Sequence, residues 1–327
     1  MLLPTSVSSV PKPFIKALCC FSVALGMAWL GHIPACRAAS QGADPSSVTS
    51  SKINETRLDR SAALIKDNLF DIGDDVKGIA LYPVHNPKTS LYALLAVAGL
   101  VAVDKPTTRY WQDKVEPIFN GYSLKAPKFM KKVPIDGSGG VNGLLMLGIG
   151  GSYLLGAAFD DQRSQLAAIL SVKAAVYSVI TSQLLLKSLT GRLRPDPSLS
   201  NPTGQYPYTT NPYAFGHFHH PYLGANQFGT AMPSFTFTLY FAIARVYQKV
   251  YHNYWIPYGL AAAALTSDIR GHHHWVGDMV AGSLVGTMIG TVVADNALGD
   301  DGEKQSDSMV VPIAAPGTYG LAWIHQF

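Results

Sequence analysis

Three histidines run into an apolar segment in Ser267-Asp268-Ile269-Arg270-Gly271-His272-His273-His274-Trp275-Val276-Gly277-Asp278, and an aspartate follows the last histidine by four positions. If the stretch is helical, His274 and Asp278 share a face. The Asp278 carboxylate would then hold one imidazole nitrogen, fix the tautomer and stabilise the imidazolium. The other nitrogen is left to act as nucleophile or base. A second group lies in Lys187-Ser188-Leu189-Thr190-Gly191-Arg192-Leu193-Arg194-Pro195. Lys187 and Arg194 bracket a turn, so both could face one anion, arginine as a planar fork and lysine as a point charge. A solvated helix end that tolerates cations is the plainer reading of that block. A third group, Met232-Pro233-Ser234-Phe235-Thr236, leads straight into an apolar run. Ser234 suits a helix N-cap, and the N–H groups of a helix start form an anion site.

Helices must carry these blocks. An apolar helix is expected over 90–103, stopped by Asp104-Lys105-Pro106, after short amphipathic turns in 61–90. Residues 141–159 form a Gly-rich apolar helix suited to close packing, and 164–188 a long helix with Gly191 as its C-cap. Three further helices are expected over 235–250, 255–266 and 275–295. Residues 196–232 show no helix or strand pattern. Their aromatics, among them Tyr206, Tyr213, Phe215 and Tyr222, suit an ordered lid or pocket wall. At the C-terminus, alternation from Tyr319 to Phe327 after Pro316-Gly317 suggests a small β-hairpin packed on the helices. Lys173 and Arg245 interrupt the apolar runs, which favours a soluble bundle over a membrane-embedded one.

The chain has 327 residues, 48% hydrophobic and 14% charged, with a formal net charge of +4. Lys12, Lys16 and Arg37 sit in residues 1–39 without an acid, and beyond them the two signs nearly cancel. No basic stripe is present, so a nucleic-acid partner is not expected. Lys12 and Lys16 precede an apolar run to Leu30 and small residues around Ala35-Cys36-Arg37-Ala38-Ala39, the pattern of a signal peptide. The expected organisation is a signal peptide or N-terminal anchor over 1–39, a flexible linker over 40–60, a helical domain over 61–300 and a hairpin tail over 301–327. The expected location is periplasmic, with membrane anchoring through the N-terminal segment as the alternative. All three cysteines lie in residues 1–39, so the mature fold must be held by packing.

The order and spacing of the blocks add what no single one carries. A lysine, six residues and Arg-Pro are followed by Pro-Ser, and then by Ser with His-x-x-x-Asp. This resembles the three-part signature of the type 2 phosphatidic acid phosphatase superfamily, which includes lipid phosphatases, class A acid phosphatases and vanadium haloperoxidases. The matching residues are Lys187, Arg194 and Pro195, then Pro233 and Ser234, then Ser267, His274 and Asp278. The resemblance covers roughly residues 90–295 and implies an all-α fold, a compact helical bundle. It implies that His274 attacks phosphorus to form a phosphohistidine, with Asp278 as the orienting carboxylate. Lys187, Arg194, Ser234 and the backbone N–H of Phe235 would hold the phosphate oxygens, in a reaction that is mostly positioning and charge stabilisation. No metal and no other cofactor are implied. The implied partner is a phosphorylated small molecule or lipid headgroup, with peripheral membrane contact.

Two positions depart from the pattern. The second block normally carries a histidine that protonates the leaving group, and here that position is Thr236. The third block normally has an arginine on the phosphate, and here that position is Asp268. Arg270 could swing into the second vacancy, and His272, His273 or the loop histidines His217, His219 and His220 could supply the acid. A substrate with a good leaving group, such as a pyrophosphate, would need the acid less. The reading is a phosphatase for phosphomonoesters or lipid (pyro)phosphates. The main alternative is an impaired relative that binds phosphate or lipid headgroups without turnover. A haloperoxidase using bound vanadate is a further alternative, and the replacement of that same histidine by Thr236 counts against it. A metal site in His272-His273-His274 fails because the three cannot all face one ion on a helix.

Overall fold

The computed structural model describes residues 57–70, 72–119, 121–124, 141–205, 207–221, 228–267, 274–299, 308–315 and 318–325. The expected signal peptide, most of the expected linker, Tyr206, Tyr222, Asp268, Arg270, His272 and His273 lie outside these residues. The described chain is an all-α bundle with a terminal hairpin. Its helices are α1 (Arg57–Leu69), α2 (Gly73–His85), α3 (Pro87–Tyr110), α4 (Val141–Phe159), α5 (Gln162–Thr190), α6 (Phe235–Tyr251), α7 (Trp255–Ser267) and α8 (Val276–Leu298). α1 begins inside the last residues of the stretch expected as linker. α5 is α-helical over Gln162–Ser178, π-helical over Val179–Leu186 and α-helical again over Lys187–Thr190. The hairpin pairs β1 (Ser308–Ala315) antiparallel with β2 (Thr318–His325), Ser308 opposite His325 and Ala315 opposite Thr318.

The core forms where α5, α6 and α8 meet, through Ala167, Leu170, Ala174 and Tyr177, Ala242, Val246 and Val250, and Ile289 and Val293. α6 and α8 make the most extensive helix pairing. Gly282, Gly286 and Gly290 recur every fourth residue and so share one face of α8. A Cβ at any of them would collide with the carbonyl oxygen of Ser234, Thr238 or Ala242. Glycine there lets the two backbones approach closely, which sets the start of α6 against the start of α8. α7 packs on α6 through Tyr240, Ala244, Tyr258, Ala261 and Leu265.

The expected stop at Asp104-Lys105-Pro106 is not observed, because α3 runs through it to Tyr110. A proline inside a helix frees the carbonyl four residues back. Here that is Ala102, and the Tyr213 hydroxyl donates to it at 3.2 Å. Asp104, Thr107 and Thr108 are buried against the rest of the bundle, which rewards continuing the helix.

Lys173 and Arg245 also turn inward. Lys173 pairs with buried Asp75 at 2.5 Å, and Arg245 donates to Thr291 at 2.9 Å and to Gln248. Four segments, Pro87–Phe119, Asn142–Phe159, Gln162–Thr190 and Val276–Leu298, are long and apolar enough to cross a membrane. The most apolar windows of the first two are only 17% and 11% buried, against 78% in the last. α8 is thus the inner helix, and the set fits membrane association.

Candidate active site

α5 ends at Gly191, which has φ 53° and ψ 36°, the left-handed conformation that closes a helix C-terminus. Its N–H donates to the Lys187 carbonyl at 3.0 Å. A side chain at Gly191 would also run into the backbone of His217. Three irregular strands then lie edge to edge. The Leu193 N–H donates to Ala214, the His217 N–H to Gly191, and the Ala231 N–H to Arg192, at 2.9 to 3.0 Å. The aromatic loop expected as a pocket wall is ordered where it is described. The Asp196 carboxylate takes the N–H groups of Ser198, Thr203 and Gly204 at 2.9 to 3.1 Å. Those bonds hold its carboxyl below the usual range against the opposing effect of burial.

This mesh brings the sequence blocks together. The Thr190 hydroxyl donates to the Met232 carbonyl at 2.5 Å, and the Trp275 indole N–H donates to Leu193 at 2.9 Å. The Ser234 N–H donates to the Asp278 carbonyl at 3.0 Å, which joins the starts of α6 and α8. Lys187 is buried, donates to Gln183 at 2.7 Å and lies 5.9 Å over the Phe235 ring. Arg194 is half-buried and donates to the Thr230 hydroxyl at 3.3 Å.

Ser234 occupies the N-cap position of α6 but makes no side-chain capping bond. Its hydroxyl is buried without a hydrogen-bond partner among the described residues. Phe235 is the first helical residue, so its N–H has no acceptor within the helix. Thr236 follows in the first turn, half-buried. The Ser267 hydroxyl turns back onto the Ala264 carbonyl at 2.9 Å, inside its own helix.

His274 is not on a helix. It precedes Trp275, the N-cap of α8, so the premise of a shared helical face does not hold. Asp278 stands in the first turn and accepts the Trp275 N–H at 3.0 Å. His274 Nδ1 lies 3.7 Å from Asp278 Oδ2, an electrostatic contact longer than a hydrogen bond, and Nδ1 has no hydrogen-bond partner among the described residues. Burial pushes the imidazole down to about 3, with Asp278 opposing and Arg194 and Lys187 reinforcing the shift. The ring is therefore neutral near pH 7, the form with a lone pair to donate.

Arg192 and Asp104 are the site residues that sequence reasoning missed. Arg192 is wholly buried and bridges two carboxylates, Nη1 to Asp278 at 2.6 Å and Nη2 to Asp104 at 2.8 Å. Those carboxylates raise its pKa against the lowering effect of burial, which is the largest influence. Asp104 also accepts the Gly277 N–H at 2.7 Å, and Thr108 accepts the Val276 N–H at 3.1 Å. α3 thus satisfies the start of α8. A side chain at Gly277 would strike the Asp104 carboxylate. The available signal was an arginine beside a C-capping glycine, between the two expected phosphate ligands. Of the loop histidines, His217 packs edge-on to Phe228 at 5.3 Å, His219 Nδ1 lies 2.9 Å from the His220 carbonyl oxygen, and His220 is exposed.

A neutral imidazole, the Arg194 guanidinium, the Lys187 amine with its pKa lowered by burial to about 7, an unused hydroxyl and a helix start are groups suited to an anion with a nucleophile beside it. No curated protein and no solved structure matches the chain. The family model described as the PAP2 superfamily matches residues 166–297, which contain all three blocks, in agreement with the type 2 phosphatidic acid phosphatase resemblance.

Proposed function

We propose that this protein is a phosphatase that hydrolyses a phosphomonoester or a lipid (pyro)phosphate through a phosphohistidine on His274. Phosphatase-type activity on phosphorylated substrates or lipids is general to the PAP2 superfamily. The observation that carries the finer reading is the Ser234 hydroxyl, buried at the start of α6 and bonded to nothing among the described residues. A buried hydroxyl in that position normally caps its helix. This one is left for a ligand oxygen, next to Lys187, the first N–H groups of α6 and the segment that holds His274.

Lys187, Arg194, Ser234 and the Phe235 N–H hold the three equatorial oxygens, and Arg270 joins them. His274 donates its lone pair to phosphorus, a P–N bond forms and the bond to the leaving oxygen breaks. The imidazolium that results is stabilised by Asp278, whose 3.7 Å separation shortens to a hydrogen bond as charge develops. Water then attacks the phosphohistidine and releases inorganic phosphate. Thr236 cannot act as a general acid near neutral pH, so leaving groups of low basicity, diphosphates and activated aryl phosphates, react best.

Thr236 also supports a second reading, a pocket that binds phosphate or a lipid headgroup without turnover. Steady-state hydrolysis of an aryl phosphate and of a diphosphate, with orthovanadate as inhibitor and His274→Ala as control, separates the two. Vanadate-sensitive release of phosphate that disappears in the variant supports the phosphatase. Vanadate binding without any release supports the binder.

A further inference from the structure

We infer that Asp104 and Arg192 act as positioning residues for phosphoryl transfer, through the Asp278 carboxylate, which faces His274. The inference rests on the phosphatase reading and names residues outside its motif blocks. Arg192 has four anchored contacts. Nε and Nη2 donate to the Pro212 carbonyl at 3.1 and 2.6 Å, Nη1 to Asp278 and Nη2 to Asp104. The guanidinium also lies 4.8 Å from the Phe215 ring and 5.3 Å from the Trp275 ring. A planar fork held on that many sides has one orientation.

Asp278 inherits that orientation. Oδ1 is taken by Arg192 and Oδ2 by the Trp275 N–H, so the carboxylate plane is fixed with Oδ2 toward His274. Its charge is shared as well. A guanidinium with one carboxylate would draw on Asp278 fully. With Asp104 on its other arm, Arg192 divides its charge between two anions, and more of Asp278 remains for the imidazolium that forms on phosphorylation. Asp104 reaches this position from α3 only because Gly277 has no side chain. The same carboxylate caps α8 by accepting the Gly277 N–H. Neither Asp104 nor Arg192 is among the proposed phosphate ligands, so their effect falls on the chemical step and not on substrate binding.

Asp104→Asn tests this in the full chain. The amide keeps the volume and an acceptor for the Gly277 N–H and gives up the ion pair. Arg192→Lys is the second variant, since it keeps the charge and loses the fork. The readouts are vanadate affinity, the single-turnover rate of phosphoenzyme formation from an activated aryl phosphate, the split between kcat and KM, and a thermal melt to establish folding. Asp104→Asn is expected to bind vanadate as the wild type does and to phosphorylate about 10–100-fold more slowly, the range typical of groups that orient a reacting ligand from one step away. KM should not change, and Arg192→Lys should be at least as slow. A folded Asp104→Asn or Arg192→Lys protein that phosphorylates at the wild-type rate overturns the inference. So does a parallel loss of vanadate affinity, which would mean that the pair only builds the pocket. A wild type that binds vanadate and forms no phosphoenzyme defeats the phosphatase reading, and this inference with it.

Discussion

Two buried clusters in this molecule have similar compositions and opposite bonding. In the first, Asp75 on α2 accepts from Lys173 and Tyr177 on α5 at 2.5 and 3.2 Å and from Asn296 on α8 at 2.8 Å. Its carboxylate is completed by the protein alone. In the second, Asp278 is anchored as firmly by Arg192 and the Trp275 N–H, but the Ser234 hydroxyl and His274 Nδ1 beside it are buried without partners among the described residues. A buried polar atom left unpaired costs about 1–3 kcal/mol. Around Asp75 that demand is met in full, and where the helix starts converge two such atoms are left without partners among the described residues. The difference supports the proposal that a ligand completes the second cluster, whereas the first ties three helices together.

The largest effect expected comes from supplying the group the second cluster lacks. Thr236→His should raise turnover of phosphomonoesters with poor leaving groups by about 10²–10⁴-fold, the usual worth of general acid catalysis. Turnover of diphosphates should scarcely change, and paired assays of the two substrate types check this. The next variant breaks the completed cluster. Lys173→Met leaves Asp75 without its cation and should cost roughly 3–5 kcal/mol in a denaturation experiment. Vanadate affinity of the folded fraction should remain, because no site residue is touched. Ser234→Ala sharpens the contrast from the other side. An N-cap serine is ordinarily worth about 1 kcal/mol to its helix. Here the hydroxyl makes no capping bond, so melting should move less than that while vanadate binding weakens about tenfold, the worth of about one hydrogen bond.

A further effect concerns pH. Burial holds His274 down from its ordinary 6.5 to about 3. Below about pH 6.5 the unfolded chain takes a proton on this histidine that the native state refuses, so stability falls as pH drops toward 3. The slope from this one group is at most roughly 1.4 kcal/mol per pH unit. Melts at pH 7 and pH 5 should show a smaller loss for His274→Gln than for the wild type.

Much of this was legible in the chain. Periodicity placed the helices that carry the blocks, Gly191 announced the end of α5, and the order of Lys187, Arg194, Ser234, His274 and Asp278 pointed to the superfamily. What sequence could not show depended on contacts far apart in the chain. Pro106 looks like a helix stop until the Tyr213 hydroxyl takes the carbonyl it frees. The spacing of His274 and Asp278 suggests a helical face, but the helix begins one residue after Trp275, and Asp278 is spent largely on Arg192 and the cap. Arg192 itself is ordinary as a letter in a basic run and becomes a bridge only once α3 brings Asp104 to it. The glycines at 282, 286 and 290 were a readable signal, four residues apart, for the close approach of α6 and α8.

The central claim is that His274 takes the phosphoryl group. Single-turnover reaction of the protein with a labelled pyrophosphate or activated aryl phosphate, quenched and split between acid and base, tests it most directly. The account predicts an acid-labile, base-stable adduct in the wild type and none in His274→Ala. Vanadate that binds to a wild type forming no such adduct, or an adduct that survives in His274→Ala, would contradict it.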